Sequence, residues 1–552
     1  MPILTIKKDE IKKYLGDISD KEIDNKLNLA GLGVERVHET EVDIEITPNR
    51  PDLLSLNGVK RYLENYFKKS GFREYNVEKP SKNYRVVIDK SVKNVRPFTS
   101  CAIVKGLKFS DEAIEEIIDI QEKLHGTYGR NRKKLAIGIY PLEKINLPIK
   151  FLAKKPEDIK FQPLAFPREI NGRQILSQHP AGREYGDLLK EKDVFPVFED
   201  SNGQVLSMPP IINSDKTGKI DYDTTDIFIE CSGFDKEYLD KTLNMIVSAL
   251  ADMGGRVCSM EIEDEIDGKR ITPNLEPEKM KIDIEKINSV LGLELNEKEI
   301  KNYFGKMGIG FEKDDEGLSA LIPAYRTDIL HEIDLAEEIA IAYGYENFIP
   351  EIPEISSIGE ESEMEKLKRK ISEMLIGLEL IEVSSYHLST KEKQFKKIGI
   401  KEFKSKMIEV LDSKTENNIL RNSLLASSIQ ILSENSDASY PQRIFEHGNV
   451  FYHNDKIDTG IGESEKLCIS LCYEKANFTE LKQILDYIMR MFDLEYKIKE
   501  TENPSFIIGR VGEIIVNGNS IGLIGEISPS VLRNNRIRMP VSSLEINLES
   551  LV

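Results

Sequence analysis

The sequence predicts a multidomain α+β protein, and three observations carry this prediction. The chain has 552 residues, which is enough for three to five domains with separate hydrophobic cores. Short apolar segments with the two-residue period of strands alternate with segments that have the helical period, and no internal repeat joins them. Turn-rich breaks interrupt this pattern at Pro80–Ser81, 264–277 and 350–353. We therefore expect four regions, at 1–85, 86–270, 271–350 and 355–552.

The first two regions are expected to mix helices and strands. In the region 1–85, a rigid turn at Pro48–Asp52 separates a strand from a helix. The predicted helices here are 9–15, 20–30 and 54–69, and the predicted strand is 42–47. In the region 86–270, the predicted strands are 84–88, 101–104 and 227–231, and the predicted helices are 112–125 and 238–253.

The third and fourth regions differ in size. Residues 271–350 hold two short helices, each introduced by a strand-like segment, which predicts a small winged or helix-turn-helix-like domain. Residues 355–552 predict an antiparallel sheet with flanking helices. Its predicted helices are 364–377, 422–434 and 480–493, and its predicted strands are 443–452, 467–473, 510–516 and 520–527.

Composition and charge exclude several classes of protein. The chain is 40% hydrophobic and 31% charged, and no apolar run is long enough to span a membrane. Five cysteines without a CxxC pair argue against a disulfide framework and fit a reducing cytoplasm. A net charge of −19 argues against a general polyanion binder, although a local basic patch at Gly129–Lys134 leaves a nucleic-acid contact open. A solvated loop is the alternative interpretation of that patch.

Four acidic residues near residue 330 are the strongest candidate for a metal site. Asp334, Glu337 and Glu338 are spaced to share one face of a helix, and Asp328 lies in the turn before it. An oxygen-only cluster suits a hard cation such as Mg2+. The alternative is a solvated acidic first turn, which the helix dipole favours and which is commoner on spacing alone.

Several familiar catalytic motifs are absent from the sequence. There is no GxxxxGK[ST] loop, no complete GxGxxG, and no second histidine after His331-Glu332 to form a zinc-binding pair. The last region, with Asn418–Leu425 before Arg443–Val450, resembles a class II aminoacyl-tRNA synthetase sheet in its strand and helix order. It lacks the GxGxxR arginine that would hold ATP, so we expect a degenerate, non-catalytic copy.

Taken in order, several segments resemble one family, the beta subunits of phenylalanyl-tRNA synthetase in their shorter archaeal and eukaryotic form. The segments that carry the resemblance are Thr47-Pro-Asn-Arg-Pro-Asp-Leu-Leu54, Arg96-Pro97, Lys123-Leu-His125, Gly129-Arg-Asn-Arg132, Ala136-Ile-Gly-Ile139, Ser207-Met-Pro-Pro-Ile-Ile-Asn-Ser214, the run from Tyr325 to Glu338, and Phe445-Glu-His-Gly-Asn-Val-Phe451. Each segment is modest evidence alone, but together they cover essentially the whole chain.

The resemblance implies a set of partners and a division of labour. Two alpha and two beta chains would assemble, with ATP, phenylalanine and the aminoacylation chemistry on alpha and tRNA(Phe) as the shared substrate. It implies a B3/4-type editing and tRNA-contact domain at 86–270, a B5-type domain at 271–350 and the inactive synthetase-like domain at 355–552. It also implies a Mg2+ site shared with alpha, whose ligands would be Asp328, Asp334, Glu337 and Glu338.

The resemblance further implies an editing site that hydrolyses mischarged Tyr-tRNA with a positioned water. The expected pocket residues are Ser207, Glu230, Ser232 and Phe198, of which Phe198 would line an apolar wall. The family usually has aspartate in place of Glu230 and threonine in place of Ser232. The expected tRNA contacts are Arg130, Arg132, Lys133 and Lys134.

Two other functions remain open on the sequence alone. The chain would be a structural, tRNA-binding scaffold if the pocket residues are ordinary sheet residues. Alternatively, it would be a free-standing RNA-binding regulatory protein derived from such a subunit.

Overall fold

The computed structural model describes residues 2–265, 268–315, 317–352 and 357–551. These form two compact units, Met1–Glu351 and Ile352–Val552. Within the described residues, no helix combines the length and apolar character needed to cross a lipid bilayer. All five cysteines are free and buried.

The N-terminal layer of the first unit is a three-stranded antiparallel sheet packed under helices. Its central strand, Glu41–Glu45, pairs with Ile3–Lys7 on one side and Gly33–Val37 on the other. The helix Leu56–Lys68 begins where the Ser55 hydroxyl accepts a hydrogen bond from Gly58 N, 2.9 Å away. The other helices of this layer are Lys8–Leu15 and Asp20–Leu29.

An eleven-stranded sheet forms the middle of the first unit. The strand Ile227–Gly233 lies inside it and pairs antiparallel with Phe98–Lys105 and Leu135–Pro141, and all seven of its residues are buried. The remaining strands are Val77–Glu78, Arg85–Ile88, Ile149–Lys154, Phe195–Glu199, Val205–Met208, Ile212–Asn213, Arg256–Asp264 and Gly268–Thr272. The longer helices against this sheet are Asp111–Gly126 and Lys236–Asp252, with shorter ones at Gly172–Gln178, Pro180–Tyr185 and Asp215–Gly218.

One expected linker is partly a strand. Residues 264–277 are turn-rich in sequence, yet Gly268–Thr272 pairs antiparallel with Arg256–Asp264 and extends the large sheet. Part of the linker expected at 350–353 lies outside the described residues, and the boundary between the two units falls at 351–352.

The third layer of the first unit is a small α+β module, as the sequence predicts. Its strands are Glu278–Lys281, Gly310–Asp314 and Gly317–Ile322, and its helices are Ile284–Leu291, Glu297–Lys306 and Glu332–Tyr343. Gly317–Ile322 is the central strand and pairs antiparallel with both neighbours.

Buried arginines join the three layers of the first unit. Arg326 from the third layer binds Asp328 and Glu338, and Asp328 also lies 4.0 Å from Arg50 of the first layer. Arg61 of the first layer pairs with Asp252 of the middle layer and stacks 3.9 Å above the Tyr325 ring of the third. Because buried charges must be paired, these contacts hold the layers in one register.

The second unit is a seven-stranded, mainly antiparallel sheet with helices against it, as expected. Its strands, in spatial order, are Ile381–Glu382, Gln442–His453, Ile461–Cys472, Val541–Asn547, Asn519–Ile527, Phe506–Val516 and Tyr496–Glu500. Its helices are Glu363–Gly377, Leu424–Glu434, Phe478–Met491 and Pro529–Asn534. Arg421 is fully buried and is held by Glu446 at 2.7 Å and by the Asn449 carbonyl at 2.7 Å.

Replacing Arg326 with alanine should destabilise the first unit by about 3–5 kcal/mol, because two buried carboxylates would lose their cation. Denaturant unfolding measures the loss of stability, and hydrogen exchange locates it within the first unit. The control is Lys313→Ala, which breaks an exposed pair with Glu297 and should change stability by less than about 0.5 kcal/mol. Equal effects of the two variants would contradict the role of Arg326.

Candidate functional site

A cavity of about 280 Å3 lies against the large sheet of the first unit. The helix Asp111–Gly126 forms one side with Ile114, Ile117 and Ile118, and the segment after the strand Val205–Met208 forms another. The apolar part of the lining consists of aliphatic side chains and two prolines. A cavity of this size suits one small group such as an amino-acid side chain.

Glu230 supplies a fully buried acidic group to this cavity. It is 1% exposed, because its strand is paired on both edges and covered on both faces. Burial raises the pKa of Glu230 to about 8, although the nearby Arg96 guanidinium opposes the shift. The carboxyl is therefore mostly protonated at pH 7. Glu230 Oε1 accepts a hydrogen bond from the Tyr140 hydroxyl at 3.3 Å.

Two buried polar atoms at this cavity have no hydrogen-bond partner among the described residues. They are Glu230 Oε2 and Ser207 Oγ, and both residues line the cavity. An unpaired buried polar group costs about 1–3 kcal/mol, so a polar atom of a ligand placed between them would be stabilised. Asn213 adds a third polar group, since its Oδ1 lies 3.4 Å from the Tyr140 hydroxyl.

Gly138 gives the Glu230 carboxylate its space. It lies directly opposite Glu230 in the strand pairing. A Cβ built on Gly138 would lie 2.5 Å from Glu230 Oε1 and closer still to the Tyr140 hydroxyl. Sequence reasoning missed Gly138, Tyr140 and Asn213. A glycine inside an apolar strand, which often marks a close approach, was the available signal for the first of these.

The other two expected pocket residues lie beside the cavity and do not line it. Phe198 is fully buried and stacks on Phe151 with ring centroids 4.2 Å apart, so isoleucines from the neighbouring helix form the apolar wall instead. Ser232 Oγ accepts a hydrogen bond from Arg96 Nε at 3.0 Å, and its carbonyl accepts another from the same guanidinium at 2.6 Å. Ser232 thereby fixes the cation that faces Glu230.

The basic segment expected to contact tRNA divides into two kinds of residue. Arg132 is held in the protein, where it donates to the Ile211 carbonyl at 2.8 Å and pairs with Glu122 at 3.0 Å. It therefore braces the 209–213 wall of the cavity. Arg130, Lys133 and Lys134 are exposed.

His125 cannot serve as a free base in this cavity. Its Nε2 accepts a hydrogen bond from Ile137 N at 2.8 Å, and its Nδ1 lies 3.2 Å from Glu122 Oε1. Burial lowers the pKa of His125, so the ring stays neutral with both nitrogens engaged. The cavity thus has no serine–histidine pair, and a hydrolytic reaction in it would use water.

The four acidic residues expected to bind Mg2+ do not converge. Asp334 Oδ2 accepts hydrogen bonds from Leu330 N at 2.7 Å and His331 N at 2.8 Å, so it caps the helix Glu332–Tyr343. Glu337 is exposed on the same helix.

Asp328 and Glu338 each bind the guanidinium of Arg326, at 2.7 and 2.8 Å. In the part of the chain that the structure describes, no group of three or more acidic, histidine or cysteine side chains is arranged to hold a metal ion. As placed, the four carboxylates do not fit one Mg2+ ion, because Arg326 already neutralises two of them.

Comparisons with known proteins agree with this architecture. Three family models match: a B3/4 domain at 83–247, a tRNA synthetase B5 domain at 280–345 and a phenylalanyl tRNA synthetase beta chain CLM domain at 349–548. The chain is 37% identical to the phenylalanine–tRNA ligase beta subunit of Archaeoglobus fulgidus, over 100% of this chain and 98% of that protein. It is also 37% identical to the same subunit of Pyrococcus horikoshii, over the full length of both.

A solved structure gives the same result for part of the chain. An N-terminal fragment of the phenylalanyl-tRNA synthetase beta subunit from Pyrococcus horikoshii matches with a TM-score of 0.59 and 36% identity. The match covers 62% of this chain and 99% of the fragment. From the full-length identity and the three domain models, we conclude that the chain belongs to the family of phenylalanine–tRNA ligase beta subunits.

Proposed function

We propose that this chain is the beta subunit of a phenylalanine–tRNA ligase and that its Glu230 cavity hydrolyses tyrosine wrongly esterified to tRNA. The observation that carries the editing role is the pair of unpartnered buried atoms, Glu230 Oε2 and Ser207 Oγ, in a cavity with an aliphatic wall. The hydroxyl group of a phenol supplies the hydrogen-bond partner that these two atoms lack.

The cavity chemistry suits discrimination between tyrosine and phenylalanine. An apolar pocket rejects an added hydroxyl only weakly, by about 10²-fold. A site built to hydrogen-bond that hydroxyl rejects the analogue without it by about 10⁴–10⁵-fold, because its own polar groups are then left unpaired. Protonated Glu230 donates to the phenol oxygen, and Ser207 Oγ accepts from the phenol hydrogen.

The hydrolysis itself needs a positioned water. The water oxygen bonds to the ester carbonyl carbon, the acyl carbon–oxygen bond breaks, and the tRNA hydroxyl leaves with a proton. Glu230 and Ser207 orient the side chain, and the aliphatic wall excludes bulk water from it. A hydroxyl of the tRNA itself is available to orient the attacking water.

The second unit fits a supporting role, with aminoacylation on an alpha partner. Arg421, its fully buried arginine, is saturated by Glu446, Ser385 and Asn449 and is not free to bind a nucleotide. We infer that residues 355–552 are a degenerate class II synthetase-like domain. We also infer that the four regions 1–85, 86–270, 271–350 and 355–552 are domains of an α2β2 complex acting on tRNA(Phe).

The Mg2+ site at Asp328, Asp334, Glu337 and Glu338 stays a prediction of the family resemblance. Asp334 and Glu337 lack a cationic partner among the described residues and line one open groove together, so they are the members open to a further ligand. A Mg2+ titration of the assembled complex tests whether these residues bind the ion.

Glu230→Ala should lower the rate of Tyr-tRNA deacylation at least about 100-fold, because the cavity loses the group that recognises the phenol. Phenylalanine attachment, measured in the same complex, should remain. The control is Glu237→Ala, an exposed carboxylate in the following helix. Unchanged deacylation in the Glu230 variant would favour the scaffold alternative.

Gly138→Ala should lower deacylation nearly as much, because the new methyl group would displace the Glu230 carboxylate and the Tyr140 hydroxyl. The shorter Glu230→Asp side chain, added to the Gly138→Ala variant, should restore at least about a tenth of the activity. The matched control is Gly305→Ala, in the helix Glu297–Lys306, where an added Cβ meets no atom within 4 Å. Failure of aspartate to rescue would mean that crowding of Glu230 is not the cause.

Deacylation should fall as the pH rises through about 8, since Glu230 then ionises and can no longer donate to the phenol. Its folded pKa lies above the ordinary value of 4.5, so ionisation also weakens folding progressively from pH 4.5 to above 8. The measurement is kcat/KM for Tyr-tRNA between about pH 6 and 9, after subtraction of the uncatalysed ester hydrolysis. Glu230→Gln should flatten the profile, and a profile that rises through pH 8 would contradict the donor role.

A further inference from the structure

A second cavity, of about 460 Å3, is lined by other residues of the basic loop, 129–134, that borders the Glu230 cavity. Thr47, Pro48, Pro51 and Leu54 from the N-terminal layer form one wall, together with Pro2. The opposite wall belongs to the middle layer and consists of Thr127, Tyr128, Arg130, Lys134 and Tyr238. We call this second cavity the tyrosine cleft.

The loop backbone sends neighbouring basic side chains into different cavities. Arg130, Asn131 and Arg132 have φ values of 50°, 53° and 62°, a left-handed conformation that side-chain-bearing residues rarely adopt. Hydrogen bonds from Arg132 N to the His125 carbonyl at 3.0 Å and from Lys134 N to the Gly129 carbonyl at 3.0 Å hold it. As a result, Arg132 lines the Glu230 cavity while Arg130 and Lys134 line the tyrosine cleft.

The two basic residues of the cleft keep their charge available. Arg132 is neutralised by Glu122, but no ion pair within the described residues joins Arg130 or Lys134 to a carboxylate. Lys134 Nζ instead lies 5.0 Å above the Tyr238 ring. On a chain with a net charge of −19, two unneutralised cations in one cleft favour an anionic ligand.

The aromatic residues of the cleft form a rigid platform. The Tyr128 and Tyr238 rings stack with centroids 4.1 Å apart and planes 7° from parallel. The Tyr238 hydroxyl donates a hydrogen bond to the Tyr128 carbonyl, which fixes the pair. Aromatic rings beside unpaired cations are the combination that binds single-stranded nucleic acid, since bases stack on the rings and phosphates meet the cations.

We propose that the tyrosine cleft binds the unpaired nucleotide that precedes the esterified 3′ end of the tRNA, while the terminal residue and its amino acid occupy the Glu230 cavity. Arg130 and Arg132 are two residues apart, so their Cα atoms lie within about 8 Å of each other. The two cavities are therefore lined by neighbouring residues of one loop, and the proposal places consecutive nucleotides of one single strand in them. The inference rests on the proposed editing function, and it adds a separate subsite for the substrate.

The test is the double variant Arg130→Gln with Lys134→Gln in the assembled alpha–beta complex, assayed on preformed Tyr-tRNA. The KM for deacylation should rise about tenfold, with kcat unchanged within twofold, because the lost contacts hold the substrate and not the reacting ester. The slope of log kcat/KM against log salt concentration should become shallower by about 1.4, for two phosphate contacts to a single strand. The matched control is Lys155→Gln with Lys160→Gln, which removes the same charge from exposed residues outside the cleft and outside the basic loop.

A second substrate separates the cleft from the hydrolytic site. The tyrosyl ester of adenosine lacks the preceding nucleotide, so its KM should not change in the Arg130 and Lys134 variant. An equal rise in KM for this small ester, or a rise with Tyr-tRNA no larger than in the control, would overturn the proposal. Competition by an acidic peptide stronger than by a short RNA would overturn it in favour of a protein ligand.

The Glu230→Ala variant tests the editing function independently of the cleft. If that variant keeps full deacylation, the proposed editing function fails. The cleft is then judged by binding of uncharged tRNA to the complex, measured by fluorescence anisotropy. A Kd that rises about tenfold in the Arg130 and Lys134 variant, and not in the control, would support the subsite, and an unchanged Kd would refute it.

Discussion

The buried ion pairs of Arg326 are the interaction on which the first unit depends. One guanidinium binds Asp328 and Glu338 at 2.7 and 2.8 Å, with side-chain exposures of 1%, 9% and 7%. Such a cluster is stable only when every charge is paired, and removal of one member leaves the others buried without a partner. Arg50 of the first layer lies 4.0 Å from Asp328 of this cluster and so links the first layer to the third. Arg61, between Asp252 and the Tyr325 ring, extends the same constraint to the large sheet.

In the Glu230 cavity, unlike the Arg326 cluster, a buried polar group is left without a partner. Here the fold keeps a carboxyl in a central strand with one oxygen unpaired, and it leaves a glycine opposite to make room for it. An unsatisfied group of this kind weakens the fold and persists where a ligand completes it. The core around the cavity tolerates this local loss of stability, because the strand Ile227–Gly233 is paired on both edges.

The basic loop connects this cavity to the tyrosine cleft. Its left-handed residues turn Arg132 toward the cavity wall and leave Arg130 and Lys134 in the cleft. A chain that is acidic overall can contact a polyanion in this way, because physiological salt screens charges farther away than about 8–10 Å and leaves the local charge to act. The N-terminal layer contributes through Thr47 and Pro48, so the proposed substrate path depends on the same interlayer packing that the arginines maintain.

The sequence by itself determined the type and order of most elements and the family. Helices such as Asp111–Gly126 and strands such as Ile227–Gly233 follow from apolar period and capping residues, which are local properties. Family resemblance also predicted Ser207 and Glu230 as pocket residues, and both line the cavity. Only the tertiary structure decided that Phe198 packs in the core, that Gly138, Tyr140 and Asn213 surround Glu230, and that Arg326 occupies the acidic cluster. Those facts depend on strand pairings and contacts between residues far apart in the chain, which no local pattern records.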